Sequence, residues 1–284
     1  MNLTTLQEFR QAVYRCFDRA ADALFNTVDA LISETQAKSF PELSLSPFFE
    51  RKWASLYEAF EDGRIDKKSL RETFVKYLPL ESIGDRLLLG IDATPIERPF
   101  SRTSADRTAL PMHNIPNKAK AITYGWKFST VVVLPEKTSS WTSILDQQRI
   151  PSSKTDIQVA IEQLKEIVPL LPKRPLTLLD RGYDSNWFWC QCTGIALDML
   201  GRLKCNRCFY KPAPPHTGKQ GAPRKDGAKL KVSDASTHQS PDGTWEGTDR
   251  SGYPVRICWW ENMHVRSGAM AKSDNYSGDP SPSP

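Results

Sequence analysis

The stretch LLLGIDATP, residues 87–95, decides the fold of this chain. It is an apolar run that ends in one acid, Asp92, and is then interrupted by a proline, a pattern that predicts a fully buried central strand carrying a carboxylate to the edge of a sheet. A second stretch, LTLLDRGYD at residues 176–184, repeats the pattern with Asp180. Its glycine and Asp184 predict a turn and a helix cap directly after the strand. Two aspartates at strand ends are therefore the main functional signal.

The segments between these two stretches predict further strands and one helix. Residues 122–134 alternate and then run apolar, which favours a strand, and residues 141–150 are a candidate for a third. Thr155 or Ser152 can cap a helix that continues through Val168 and is stopped by prolines. The order strand, strand, strand, helix, strand, helix predicts an α/β fold with a mixed sheet and flanking helices.

A small all-helical domain is predicted for residues 1–83, before the core at 84–266. One amphipathic helix is predicted from about Leu3 to Ser33, a second from Phe48 to Phe60 with Trp53 and Tyr57 buried, and a third behind an Asp66 cap. This domain is either a packing unit or a DNA-binding unit. Residues 267–284 are rich in Gly, Ser and Pro and predict a disordered tail.

Composition and charge indicate a cytoplasmic protein with a polyanionic partner. The 284 residues are 39% hydrophobic and 25% charged, and no apolar run approaches a membrane span. Positive charge is concentrated in residues 201–231, which contain nine lysines and arginines and one aspartate, within a chain of net charge +5. Prolines and glycines interrupt this basic segment, so we expect an extended basic loop.

Two aspartates at neighbouring strand ends supply the oxygen ligands that a hard divalent cation prefers. In a two-metal site, one Mg²⁺ activates the attacking hydroxyl and the other stabilises the leaving oxygen. The alternatives are an acid that caps a turn at Asp92 and a salt bridge from Asp180 to Arg181. The four cysteines at 190, 192, 205 and 208 have a spacing that would allow a zinc site, but the first pair lies in an aromatic-rich helix where thiols usually pack as small apolar groups.

Four segments together resemble the bacterial insertion-sequence DDE transposases: GIDATPIERP at 90–99, YGWKFS at 124–129, LDRGYD at 179–184, and NRCFY at 206–210 with the GKQGAPRK loop at 218–225. The resemblance runs from about residue 60 to 266. It implies an RNase H-like catalytic core in which Asp92 and Asp180 are the first two metal-binding acids, with Mg²⁺ or Mn²⁺ as cofactor. It also implies DNA as partner, homo-oligomers on DNA, and phosphate contacts by the basic residues Arg181, Arg202, Lys204, Arg207, Lys219, Arg224 and Lys225.

The family pattern also requires a glutamate on a later helix, and here the chain departs from it. A last strand is predicted at residues 255–260, and Glu261 lies directly beside it, while Asp274 and Asp279 lie in Gly- and Pro-rich sequence. We therefore expect a truncated, inactive or impaired copy. The alternatives are a non-catalytic DNA-binding remnant that inhibits a full-length transposase, and an RNase H-like repair nuclease. In the GAPRK segment, Ala222 stands where a minor-groove arginine would enter, so we expect phosphate contact there rather than base reading.

Overall fold

A computed structural model describes residues 2–80, 83–111, 122–135, 142–216, 218 and 222–266. The predicted disordered tail, residues 267–284, lies outside these ranges. The first part of the chain is mainly helical, with two short strands that pair antiparallel: α1 Leu3–Tyr14, β1 Phe17–Arg19, α2 Ala21–Ser33, α3 Phe40–Leu43, α4 Trp53–Asp62, β2 Arg64–Ile65 and α5 Lys67–Lys76.

The prediction of a single helix from Leu3 to Ser33 is wrong, because the first helix ends at Tyr14 and a second one begins at Ala21. Phe17 is buried where β1 pairs with Ile65 of β2, and Ala20 has a positive φ of 56° at the start of α2. Apolar spacing is helical on both sides of the break, so periodicity alone does not reveal it.

The predicted burial of Trp53 and Tyr57 is also wrong. Their side chains are 66% and 43% exposed and pack against each other with ring centroids 6.0 Å apart. The buried residues of α4 are instead Leu56 and Ala59. The third helix is confirmed, because Asp66 caps α5 by accepting from the backbone amides of residues 68 and 69.

The remainder of the chain supplies a six-stranded mixed sheet and its helices: β3 Leu88–Glu97, β4 Thr108–Pro111, β5 Ile122–Leu134, β6 Ser143–Ile150, α6 Asp156–Ile167, β7 Leu176–Leu179, α7 Asn186–Cys192 and β8 Asp198–Gly201. β3 lies between β5, to which it is antiparallel, and β7, to which it is parallel. β5 continues the sheet antiparallel to β4 and β6, and β7 continues it parallel to β8. This order confirms the predicted RNase H-like mixed sheet with flanking helices.

Among the described residues, helices cover one face of the sheet and leave the other face open. Along β3, Leu89 and Ile91 are buried in the main core, which α6 and α7 complete. The alternate residues point to the other face, where Gly90, Leu178 and Leu200 line an apolar groove of about 580 Å³. The expected fully buried strand is therefore buried on one face only. β3 also continues five residues beyond Asp92, so the acid lies within the strand rather than at its end.

The end of the helical region packs against this core, while its earlier helices bury clusters of their own. Val75 and Leu78, at the end of α5, belong to the same buried cluster as the sheet residues. Arg71 of α5 forms ion pairs with Asp146 of β6 at 3.4 Å and with Glu166 of α6 at 2.7 Å, and its side chain is almost buried. The last turns of the predicted helical domain thus pack as part of the core.

Part of the basic segment is a hairpin rather than the expected loop. β9 Cys208–Pro212 pairs antiparallel with β10 Asp226–Lys231, and a second hairpin follows from β11 Gly243–Thr248 and β12 Pro254–Trp259. None of the helices in the described ranges combines the length and apolar character that a membrane span requires.

Candidate active site

Asp92 and Asp180 line one cavity of about 520 Å³. The parallel ladder between β3 and β7 pairs Gly90 with Leu178, and the same register continued by two residues places Asp92 beside Asp180. Neighbouring strands lie about 4.8 Å apart. The sheet therefore brings together two carboxylates that are far apart in the sequence.

The conformation of Asp180 is fixed by the turn that follows it. Its Oδ1 accepts a hydrogen bond from the backbone amide of Gly182 at 2.7 Å, which caps a 3₁₀ turn at Arg181–Tyr183. A Cβ on Gly182 would lie 2.9 Å from the same oxygen, so the close approach favours glycine. The predicted turn is confirmed. The predicted cap at Asp184 is not, since Ser185 caps α7 by accepting from the amide of Phe188.

One wall of the cavity carries an ion pair between β5 and the start of α6. Lys127 of β5 donates to both carboxylate oxygens of Asp156, at 3.2 and 2.8 Å. Thr155 and Gln158 form a capping box that fixes this helix end, as the sequence predicted for Thr155. Sequence reasoning missed Lys127 and Asp156 as site residues. The signals were the position of Lys127 inside the YGWKFS segment and an acid directly after a helix cap.

Tyr183 forms part of the cavity floor and was also missed. Its side chain is 3% exposed and packs on Phe188, and its hydroxyl has no hydrogen-bond partner among the described residues. Burial raises the pKa of this phenol, and the negative charges of Asp92, Asp156 and Asp180 raise it further. The hydroxyl therefore stays protonated and is available as a donor.

The donor set fits a hard divalent cation. Asp92 and Asp180 are both exposed to the cavity, and Mg²⁺ is commonly held by one or two carboxylates together with waters and substrate phosphates. Across the ranges that the structure describes, no group of three His, Cys, Asp or Glu side chains has metal-binding geometry. The two aspartates would thus hold the cation with help from substrate or solvent oxygens.

Comparison with known proteins identifies the family of this chain. The family model described as DDE superfamily endonuclease matches residues 12–266. The chain belongs to the DDE superfamily endonucleases. The cryo-EM structure of a piggyBac transposase synaptic complex with hairpin DNA aligns with a TM-score of 0.34 and 16% identity, over 66% of this chain and 42% of that chain. Among proteins with curated descriptions, none matches significantly.

The basic residues of this DDE endonuclease fall into two groups. Asp184 holds both Arg207 and Lys204. Arg207 donates to the carboxylate and to the backbone carbonyl of Asp184. The backbone amide of Lys204 donates to the carboxylate, and its Nζ donates to the backbone carbonyl. Arg181 and Arg202 are exposed, the first in the turn after Asp180 and the second at the groove on the open face.

The remaining predicted DNA contacts lie in or near the β9–β10 connection. Arg224 and Lys225 are exposed just before β10, and Lys219 lies outside the described residues. The two exposed residues are therefore placed on the surface, where phosphate contact remains a prediction.

The cysteines of the endonuclease do not form the zinc site that their spacing would allow, as far as the described residues show. Cys192 is 2% exposed within the main core, and burial raises the pKa of its thiol to about 11. Cys205 is exposed. The packing role favoured from sequence is thus observed for Cys192.

Proposed function

We propose that the chain is an insertion-sequence transposase that cuts and rejoins DNA strands, with Asp92 and Asp180 as two of its metal ligands. The observation that carries the proposal is the shared cavity, where a carboxylate of the central strand meets one from the adjacent parallel strand. Phosphoryl transfer depends mainly on positioning and on stabilising charge, so carboxylates fixed by a rigid sheet suit it.

The metal in this proposal is Mg²⁺ or Mn²⁺, which would supply charge neutralisation at the phosphate and activation of the attacking hydroxyl. The protein's own contribution is positional. Asp180 is held by the Gly182 amide, and Lys127 supplies a cation beside the two acids.

DNA is the proposed partner, acting at the nucleoid, and the exposed Arg181, Arg202, Arg224 and Lys225 are the proposed phosphate contacts. Each phosphate contact on duplex DNA contributes about 0.9 to the slope of log affinity against log salt. Two element ends joined together require two copies of the site, so the proposal includes a homo-oligomer on DNA.

We further propose that this chain on its own is impaired in strand transfer. The third carboxylate on the cavity wall, Asp156, is bound by Lys127, and Glu261 accepts from the indole of Trp259 in the second hairpin. Among the residues that the structure describes, no His, Cys, Asp or Glu side chain completes a group of three with metal-binding geometry, so the proposal has two protein ligands only. The second candidate function is a DNA-binding remnant that inhibits an intact transposase.

A nicking assay on supercoiled plasmid carrying the element ends tests these proposals. We expect slow nicking with Mn²⁺ or Mg²⁺ that is absent with EDTA and absent in Asp92→Asn and Asp180→Asn. Glu246→Gln, at a surface position 73% exposed, is the matched control. Rapid strand transfer by the wild-type chain would contradict the impairment. Salt-dependent DNA binding without any nicking would favour the inhibitor.

A further inference from the structure

The connection from β3 to β4 holds an aromatic side chain out into solvent. Phe100 is 92% exposed, and Arg98 and Arg102, two residues to either side, are exposed as well. We call residues 98–102 the arginine-flanked tip. An isolated exposed apolar side chain is common on protein surfaces, and what distinguishes Phe100 is the support of the loop that carries it.

Hydrogen bonds from Arg107 hold the backbone of the tip. Its Nη1 donates to the backbone carbonyls of Arg98 and Pro99, both at 2.8 Å, and its guanidinium lies over the ring of Tyr124 at 5.3 Å. Tyr124 is itself half exposed. An arginine that supports two consecutive carbonyls and an aromatic ring fixes the path of the loop against the sheet.

A second brace holds the far end of the loop. The carboxylate of Asp106 accepts from the backbone amide of Ser152 at 3.1 and 3.2 Å and pairs with Arg149 at 3.3 Å. The indole of Trp126 donates to the carbonyl of Ala105 at 3.2 Å. The exposed ring is therefore presented on a loop that is anchored at both ends.

The tip directly follows the strand that carries Asp92. Glu97, the last residue of β3, lies five residues beyond Asp92, and at about 3.3 Å per residue this is roughly 16 Å, close to the length of five base pairs of DNA. A DNA duplex that presents a phosphate to Asp92 and Asp180 is long enough to reach Phe100.

We propose that Phe100 stacks on an unpaired or flipped DNA base while Arg98 and Arg102 contact the phosphates on either side. The inference rests on the proposed function and adds a specific contact to it. A ring held in solvent between two cations matches a nucleobase, which offers a flat apolar face within a chain of negative charges. Apolar side chains inserted between base steps also stabilise bent or distorted DNA.

The test uses 2-aminopurine, a fluorescent base whose emission is quenched by stacking, placed unpaired within an otherwise duplex oligonucleotide. Binding is measured with Ca²⁺ present so that the strand is not cut. We expect wild-type protein to quench the probe and Phe100→Ala to lose the quenching with about fivefold to 150-fold weaker binding. Phe100→Trp should restore both. Tyr253→Ala, which removes another exposed aromatic side chain (69%), is the matched control and should behave as wild type.

The outcomes separate this inference from the proposed function. DNA binding that is unaffected by Phe100→Ala, with unchanged quenching, would overturn the stacking contact and leave the proposed function standing. Absence of any DNA binding by the wild-type chain would overturn both. Equal loss of binding to fully paired duplex in Phe100→Ala would also overturn the stacking contact, because a base-stacking residue acts on the unpaired site.

Discussion

Arg207 donates from Nε to a carboxylate oxygen of Asp184 at 2.8 Å and from Nη2 to the backbone carbonyl of the same residue at 2.7 Å. Asp184 is four residues beyond Asp180, and Arg207 directly precedes β9. The contact therefore links the turn after Asp180, one candidate metal ligand, to the start of the hairpin formed by β9 and β10. The guanidinium also lies over the ring of Trp189 at 4.8 Å, a second contact that fixes its position.

Breaking this pair should destabilise the protein strongly. The Asp184 side chain is 1% exposed, so Arg207→Ala leaves a buried carboxylate that has lost its cation, and we expect a loss of about 3–5 kcal/mol. Arg207→Lys should recover only part of it, because an ammonium cannot reproduce the forked contact. Chemical denaturation measures the change.

The exposed pair Arg256–Glu246 provides the control for that experiment. Both side chains are more than 60% exposed, and Arg256→Ala should cost no more than about 1 kcal/mol. Equal effects of the two alanine variants would show that the Asp184 contact is not a buried structural link.

The contact between Arg207 and Asp184 also shows what the sequence cannot predict. The basic segment could be identified from its charge, but the partners are 23 residues apart, and only the folded chain shows that Arg207 is paired with a buried carboxylate. The hairpin formed by β9 and β10 was missed for a related reason, since prolines and glycines in the connecting segment obscure the pairing of two short strands.

Local and periodic signals were predictive where they are strongest. β5 at Ile122–Leu134 and the cap at Thr155 match the expectations, because alternation and capping chemistry act within a few residues. The burial of Trp53 was wrong because an aromatic side chain at helical spacing does not specify which face meets a neighbour. The meeting of Asp92 with Asp180 was predicted from the strand order, whereas Tyr183 and Asp156 required the fold.

Replacing Tyr183 with phenylalanine should stabilise the metal-free protein. The buried hydroxyl has no hydrogen-bond partner in the part of the chain that the structure describes, and removing an unsatisfied buried polar group should raise the free energy of unfolding by about 1–3 kcal/mol. The exposed control Tyr253→Phe should change it by less than about 0.5 kcal/mol. A clear destabilisation of Tyr183→Phe would show that the hydroxyl has a partner in solution.

The same tyrosine predicts a loss of stability at alkaline pH. The pKa of Tyr183 in the folded protein is raised above the ordinary 10.0. Its ionisation therefore leaves the free energy of unfolding unchanged below pH 10 and lowers it above pH 10, where the unfolded chain releases the proton and the folded chain keeps it. The decline approaches about 1.4 kcal/mol per pH unit for one such group. Tyr183→Phe should make the profile above pH 10 less steep than that of wild type, and identical slopes would contradict the prediction.

The helical region and the core should unfold together. Leu78 is buried in the main cluster, so Leu78→Ala should lower the free energy of unfolding by about 2–5 kcal/mol in a single transition seen by both helix and sheet signals. Leu80→Ala, at a half-exposed position, should have little effect. Two separate transitions, with only the first one shifted, would instead support an independent domain at residues 1–83.

Titration with Mn²⁺ followed by electron paramagnetic resonance tests the central claim most directly, because it detects the cation independently of catalysis. The shared cavity predicts saturable Mn²⁺ binding by the wild-type chain that is lost in both Asp92→Asn and Asp180→Asn and is retained in Glu246→Gln. Mg²⁺ should compete for the same site. Unchanged Mn²⁺ binding in both aspartate variants would contradict the assignment of Asp92 and Asp180 as metal ligands.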